Sequence, residues 1–98
     1  YLKHRVKNAV QFINNYEQAV AGEARRRGVD GVVCGHIHHA EIRTIDGILY
    51  CNDGDWVESC TALVEDFEGR LRIVHWAEEH ARRQNVPRLV PARVAAAE

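Results

Sequence analysis

The sequence predicts an α/β fold, and three observations carry that reading. A long amphipathic stripe opens the chain, a short apolar run bounded by glycines follows, and two X-Gly turn signals then separate strand-like segments. The predicted order is a long helix, a buried strand, a histidine loop and two β-hairpins.

The helix is read from Leu2 to Arg27. Val6, Val10, Ile13, Tyr16, Val20 and Ala24 fall in steps of three and four, which lines them along one helical face. Arg25, Arg26 and Arg27 complement the negative end of the helix dipole, and Gly28 is a stop signal. After it, VDGVVCG offers Val32, Val33 and Cys34 as a continuous apolar run, the pattern of a strand covered on both faces. EIRTI and ILYCN flank Asp46-Gly47, a two-residue hairpin signal. NDGD (52–55) reads as a tight loop rather than a calcium loop, because the later ligands of an EF-hand are missing. SCTALVEDF and RLRIVHW then flank Glu68-Gly69 as a second hairpin. The domain is read as residues 1–76. Residues 77–98 hold both prolines and an alanine run, and are read as a polar, Ala-rich, poorly ordered tail with one helical turn.

Bulk composition bounds the function. Ninety-eight residues make one domain at most, and the apolar and charged fractions, 46% and 28%, are those of a globular chain rather than a disordered one. A net charge of −1 gives little counterion-release drive, so nucleic acid is not an expected partner. Cys34, Cys51 and Cys60 lack CxxC spacing and fit reduced thiols in a cytoplasmic protein. No apolar stretch is long enough to span a bilayer.

The chemistry concentrates in VCGHIHHA (33–40), where a glycine and three histidines leave the end of the predicted strand. In open α/β sheets that end is where ligands bind. Imidazole binds divalent transition metals, and Gly35 permits a sharp exit from the strand. His36 and His38 alternate with Ile37, so they can face one way while His39 faces another. Spacing alone leaves a metal site, an exposed loop and core histidines all open. A structural zinc site from Cys34, His36, His38 and either Cys51 or Cys60 matches no common module. Trp56 and Trp76 read as core or rim residues.

Gly35-His36-Ile37-His38, set at the end of a hydrophobic strand and followed by a hairpin and NDGDW, resembles the Gly-His-x-His block of calcineurin-like metallophosphoesterases. Residues 1–76 resemble the carboxyl-terminal part of the branch akin to UDP-2,3-diacylglucosamine hydrolases. That resemblance implies a β-sandwich flanked by helices and a two-metal centre, with manganese first and iron or zinc as alternatives. It implies His36 as a catalytic residue, and His36 and His38 as metal ligands, one to each ion. Lys3, Arg5 and Lys7 are the candidate contacts for a phosphorylated or nucleotide-sugar substrate. It further implies a cytoplasmic enzyme of the lipid A pathway, touching the inner membrane peripherally through a lipid substrate. The family's remaining ligands, an Asp-x-His pair, a bridging Asp, an Asn-His-Asp block and another His, have no counterparts here. With a first residue that is not methionine, the chain is therefore expected to be a carboxyl-terminal piece of a larger hydrolase, completed by an upstream part of the same domain. The competing expectation is a non-catalytic module whose histidine loop binds one zinc or no metal.

Overall fold

The computed structural model describes residues 2–84, and its element order is mixed α/β as the sequence predicts. Helix α1 spans Leu2–Arg26, followed by β1 (Gly31–Cys34), β2 (Glu41–Ile45), β3 (Ile48–Asn52), β4 (Thr61–Glu65), β5 (Leu71–His75) and helix α2 (Trp76–Gln84). β1, β3 and β2 form one sheet in that order, and β4 and β5 form a separate two-stranded sheet.

Helix α1 ends in a hydrogen-bonded cap. Gly28, with φ +72°, donates its N–H to Arg25, and the Val29 N–H reaches back to the carbonyl of Ala24. These two bonds form a Schellman motif, which satisfies carbonyls that the helix leaves open. The chain then enters β1, which pairs in parallel with β3 in the register Val32↔Tyr50 and Cys34↔Asn52. Between them, β2 folds onto β3 through Asp46 and Gly47, both at positive φ (49° and 83°). That pair of left-handed residues is what a type I′ turn needs. The second hairpin closes differently. Only Gly69 is left-handed, and Asp66 accepts the Gly69 N–H through its carbonyl and the Glu68 and Arg70 N–H groups through its carboxylate.

The core is small and lies between α1 and one sheet face. Ala21, Ala24, Ile45, Ile48 and Tyr50 are buried together, with Val20, Val32 and Cys34 packed against them. Two sequence expectations change here. Val33 is 62% exposed, so β1 is covered on its helix side only and not on both faces. The apolar stripe of α1 is used only in its second half, since Val6 and Val10 are exposed. Geometry explains the latter: a 25-residue helix is about 37 Å long, whereas strands of four or five residues run about 15 Å. Lys3, Arg5 and Lys7 lie on the projecting half and are exposed.

The tail is corrected in part. Residues 76–84 form a nine-residue helix, longer than the single turn expected from sequence, with Glu78 and Glu79 in its first turn and Arg82 and Arg83 in its last. That charge order complements the helix dipole. Residues 85–98 lie outside the described residues. Among the described residues no helix is long and apolar enough to cross a membrane.

An ion pair joins α1 to the three-stranded sheet. Glu17 on α1 is 3% exposed and accepts a 2.7 Å hydrogen bond from Arg43 on β2. Removing Arg43 would leave a buried carboxylate without its cation, although the exposed side of Arg43 lets water soften the loss. Arg43→Ala is expected to cost about 1–3 kcal/mol, and Arg43→Lys less. Urea unfolding monitored by circular dichroism checks the order; equal stability of Arg43→Ala and the parent chain refutes it.

Candidate functional site

The site is built where β1 and β3, parallel neighbours, both end. Asn52 is the last residue of β3 and is fully buried. Its side-chain amide donates to the Gly35 carbonyl at 3.1 Å and to the Tyr50 hydroxyl at 3.0 Å, and lies 3.6 Å from Cys34 Sγ. Its side-chain oxygen accepts the Gly54 N–H at 3.0 Å, an Asx turn that bends the chain out of β3. The Asp53 N–H donates to the Cys34 carbonyl at 3.0 Å. One amide thus ties the exit of β1 to the exit of β3.

The histidines leave this anchor through strained backbone. The Ile37 N–H donates to the Gly35 carbonyl at 3.0 Å, closing a three-residue turn with His36 at φ +77° in its centre. Such γ-turns are rare. His38 is left-handed as well, at φ +54°. Left-handed, non-glycine residues of this kind cost on the order of 1 kcal/mol or more each and persist where surrounding bonds dictate them. A Cβ on Gly35 would come within 2.9 Å of Asp53 Oδ1, so a side chain there would push the exposed Asp53 carboxylate aside.

His36 and His38 line one open cleft of about 600 Å³, together with Asp53, Asp55, Trp56 and Thr61. Both imidazoles border this common space, but through left-handed turns and not through the strand-like alternation expected from the sequence. His39 is not part of it. It sits 3.5 Å from Glu41 Oε2, beside a separate groove shared with Glu17 and Arg43. The Tyr16 ring of α1 packs against His36 with centroids 6.0 Å apart. Lys3, Arg5 and Lys7 are not among the lining residues. Lys7, the nearest in sequence to Tyr16, is nine residues up the helix, about 13 Å along its axis.

Loop 53–60 forms the facing wall and is heavily bonded. The Asp55 carboxylate accepts the Glu58 N–H at 2.6 Å and the Ser59 N–H at 3.2 Å. The Glu58 N–H first, then the Ser59 donors, with a smaller contribution from His38, hold the Asp55 carboxyl below the usual carboxylate range. Thr61, 6% exposed, donates to the Asp53 carbonyl and accepts the Asp55 N–H at 3.1 Å. Gly54 sits against it at φ +77°, where a Cβ would come within 2.0 Å of Thr61 Oγ1. The NDGD segment is therefore a turn, as its residues predict.

Behind the cleft, burial pushes the Tyr50 hydroxyl, the Tyr16 hydroxyl and the Cys51 thiol upward in pKa. Cys51 is accordingly a thiol at neutral pH and no ready nucleophile. Cys34, Cys51 and Cys60 are not joined in a disulfide. Among the described residues, no three His, Cys, Asp or Glu side chains come together as a group able to hold a metal ion. His36 and His38 are thus two donors of the right chemistry for manganese, iron or zinc, but not a complete ligand set.

Comparison with protein families, curated proteins and solved structures finds no match for this chain.

Sequence reasoning overlooked Asn52 as the organiser of the site, along with Thr61 and Tyr16. The only sequence signal for Asn52 was its place before Asp-Gly at a strand end, which reads equally well as an ordinary turn residue.

Two outcomes are expected of the loop. Gly54→Ala should destabilise by about 1–3 kcal/mol in chemical denaturation, since it meets both the left-handed backbone and Thr61; an unchanged midpoint would contradict the packing. For pH, the Asp55 carboxyl titrates lower folded than unfolded, so its stabilisation is present above the unfolded value near 4 and is lost as pH falls through the folded one. The protection factors of the Glu58 and Ser59 amides should fall below about pH 4 and be low at all pH values in Asp55→Ala.

Proposed function

We propose that this chain supplies two imidazole ligands, His36 and His38, to a two-metal hydrolase of phosphoesters or pyrophosphates. The best candidate is a UDP-2,3-diacylglucosamine diphosphatase-like enzyme of the calcineurin-like metallophosphoesterase type. The observation that supports it most is the pair of left-handed histidines at the end of a sheet strand, both lining one cleft that also holds two carboxylates. Backbone strain at adjacent ligand-type residues is a cost that folding alone does not require.

In this reading His36 and His38 each hold one divalent ion, with manganese first and iron or zinc as alternatives. The remaining ligands come from polypeptide outside this chain. A bound metal pair supplies charge neutralisation at the phosphoryl oxygens and an acidified water. The chain's own residues orient the imidazoles: Asn52 fixes the Gly35 carbonyl about which the His36 turn closes, and the Tyr16 ring supports one imidazole. Both histidines must be unprotonated to ligate, so activity falls in acid. Lys3, Arg5 and Lys7, exposed on the projecting half of α1, serve the distal part of a phosphorylated or nucleotide-sugar substrate. The enzyme works in the cytoplasm, in peripheral contact with the inner membrane through its lipid substrate. The competing reading is a binding module that takes one zinc or none.

Metal analysis of the full polypeptide carrying this chain separates the two. About two ions per chain are expected, and both bound metal and pyrophosphate hydrolysis should be lost in the His36→Ala, His38→Ala double variant. Full hydrolysis without these histidines, or a single zinc without hydrolysis, overturns the hydrolase reading.

A further inference from the structure

β1 is built like an interior strand but stands at the edge of its sheet. The order β1-β3-β2 leaves one side of β1 unpaired among the described residues. β2, the opposite edge, carries Glu41 and Arg43, and β4 and β5 carry Glu65 and Arg72. Charges of that kind blunt an edge against pairing with another chain. β1, Gly-Val-Val-Cys, has no charge and no proline, and among the five strands only the central β3 is like it. No bulge interrupts β1 either, since its residues pair one to one with Leu49, Tyr50, Cys51 and Asn52.

The hydrogen bonds show which backbone groups of β1 are open. The Asp30 carbonyl accepts the Leu49 N–H and the Cys34 carbonyl accepts the Asp53 N–H, both at 3.0 Å. Strand residues alternate, so Asp30, Val32 and Cys34 turn their backbone groups to β3, while Gly31 and Val33 turn theirs outward. An antiparallel copy of β1, placed by a two-fold axis through Val32, sets Gly31 opposite Val33 of the second copy. Every outward N–H and carbonyl of both strands is then bonded. The side chains agree, because Gly31 has none and leaves room for the exposed Val33 across from it. A patch that complements itself in this way is what a closed dimer requires.

The helices fit the same axis. α1 packs over both β1 and β3. A copy related at the β1 edge therefore puts the two α1 axes about two strand spacings apart, about 10 Å, the ordinary distance between packed helices. Between α1 and β1 lies a groove of about 230 Å³ lined by Val20, Ala24, Val29 and Val32. Arg27, on the same groove, is matched by Glu23 at 2.9 Å. The second α1 would cover that groove with the same apolar residues.

We propose that the chain forms a two-fold dimer through β1, joining its three-stranded sheet to that of a second copy. This goes beyond the hydrolase reading and uses neither histidine.

Sedimentation equilibrium and residue-resolved amide exchange on the full chain test it. A dimer is expected at about 1 mM protein, dissociating on dilution as a small interface should. The Gly31 and Val33 amides gain protection in the dimer that dilution removes, whereas the Val32 and Cys34 amides, turned to β3, stay protected throughout. Val33→Pro removes an outward donor and spares the β3 ladder, and Val33→Lys adds an edge charge. Each should raise the dissociation constant about ten-fold or more, with circular dichroism confirming that it folds. Thr44→Lys, on the β2 edge, should dimerise as the parent does; loss of the dimer there places the contact on β2 and overturns the proposal. A monomer at about 1 mM sinks it, as does a dimer that both Val33 variants leave unchanged. Protected Gly31 and Val33 amides in a monomer would assign the edge to another segment of the same chain and rule out the second copy.

Discussion

The buried amide of Asn52 is the interaction on which the rest of the site depends. β1 and β3 are parallel neighbours of four and five residues, and short parallel strands hold their ends together weakly by ladder bonds alone. The Asn52 side chain adds a bond across that gap to the Gly35 carbonyl, bonds the Tyr50 hydroxyl of its own strand, and accepts the Gly54 N–H. A polar side chain with zero exposure is tolerated only when its hydrogen bonds are made, and among the described residues no buried side-chain N or O lacks a partner. Once Gly35 is fixed, the His36 turn closes on its carbonyl. Once Gly54 is fixed, Asp53 and Asp55 face the histidines. Both walls of the cleft follow from one residue.

The molecule is otherwise thinly built. Six apolar residues are buried among those described, and the sheet is covered by α1 on one face. On the other face Val33 and Leu49 are 62% and 39% exposed, and Val57 and Phe67 stand almost fully in solvent. Against that background the polar bonding around Asn52, Thr61 and Asp55 is dense. Side-chain hydrogen bonding is concentrated in the loops at the strand ends.

Much of the architecture was legible from local chemistry. Gly28 and the Asp46-Gly47 pair each demand a particular backbone, and each adopts it. What the sequence misled about was coverage. Val32 and Val33 read alike as buried, yet only Val32 has a helix over it, because burial depends on a partner element that a local pattern cannot show. The apolar stripe on α1 likewise continues past the reach of the sheet. At the cleft, the histidines stood out by type and spacing. Asn52 did not, since its value lies in which strand ends lie side by side, and parallel pairing of β1 with β3 across an intervening strand leaves no trace in a local window.

Strain and exposure together connect this scaffold to chemistry. His36 and His38 sit in left-handed backbone with exposed side chains, so ideal geometry does not reward them where they are, and of the two only His36 has an aromatic ring, Tyr16, against it. Asn52 and Gly35 supply the bonds that hold them there nonetheless. Trp56 is in the same condition on the facing wall, exposed yet fixed by the Asp55-bonded turn. An imidazole pair and an indole, each held at a cost and each facing the same cleft, are the arrangement of a surface shaped for something other than its own fold.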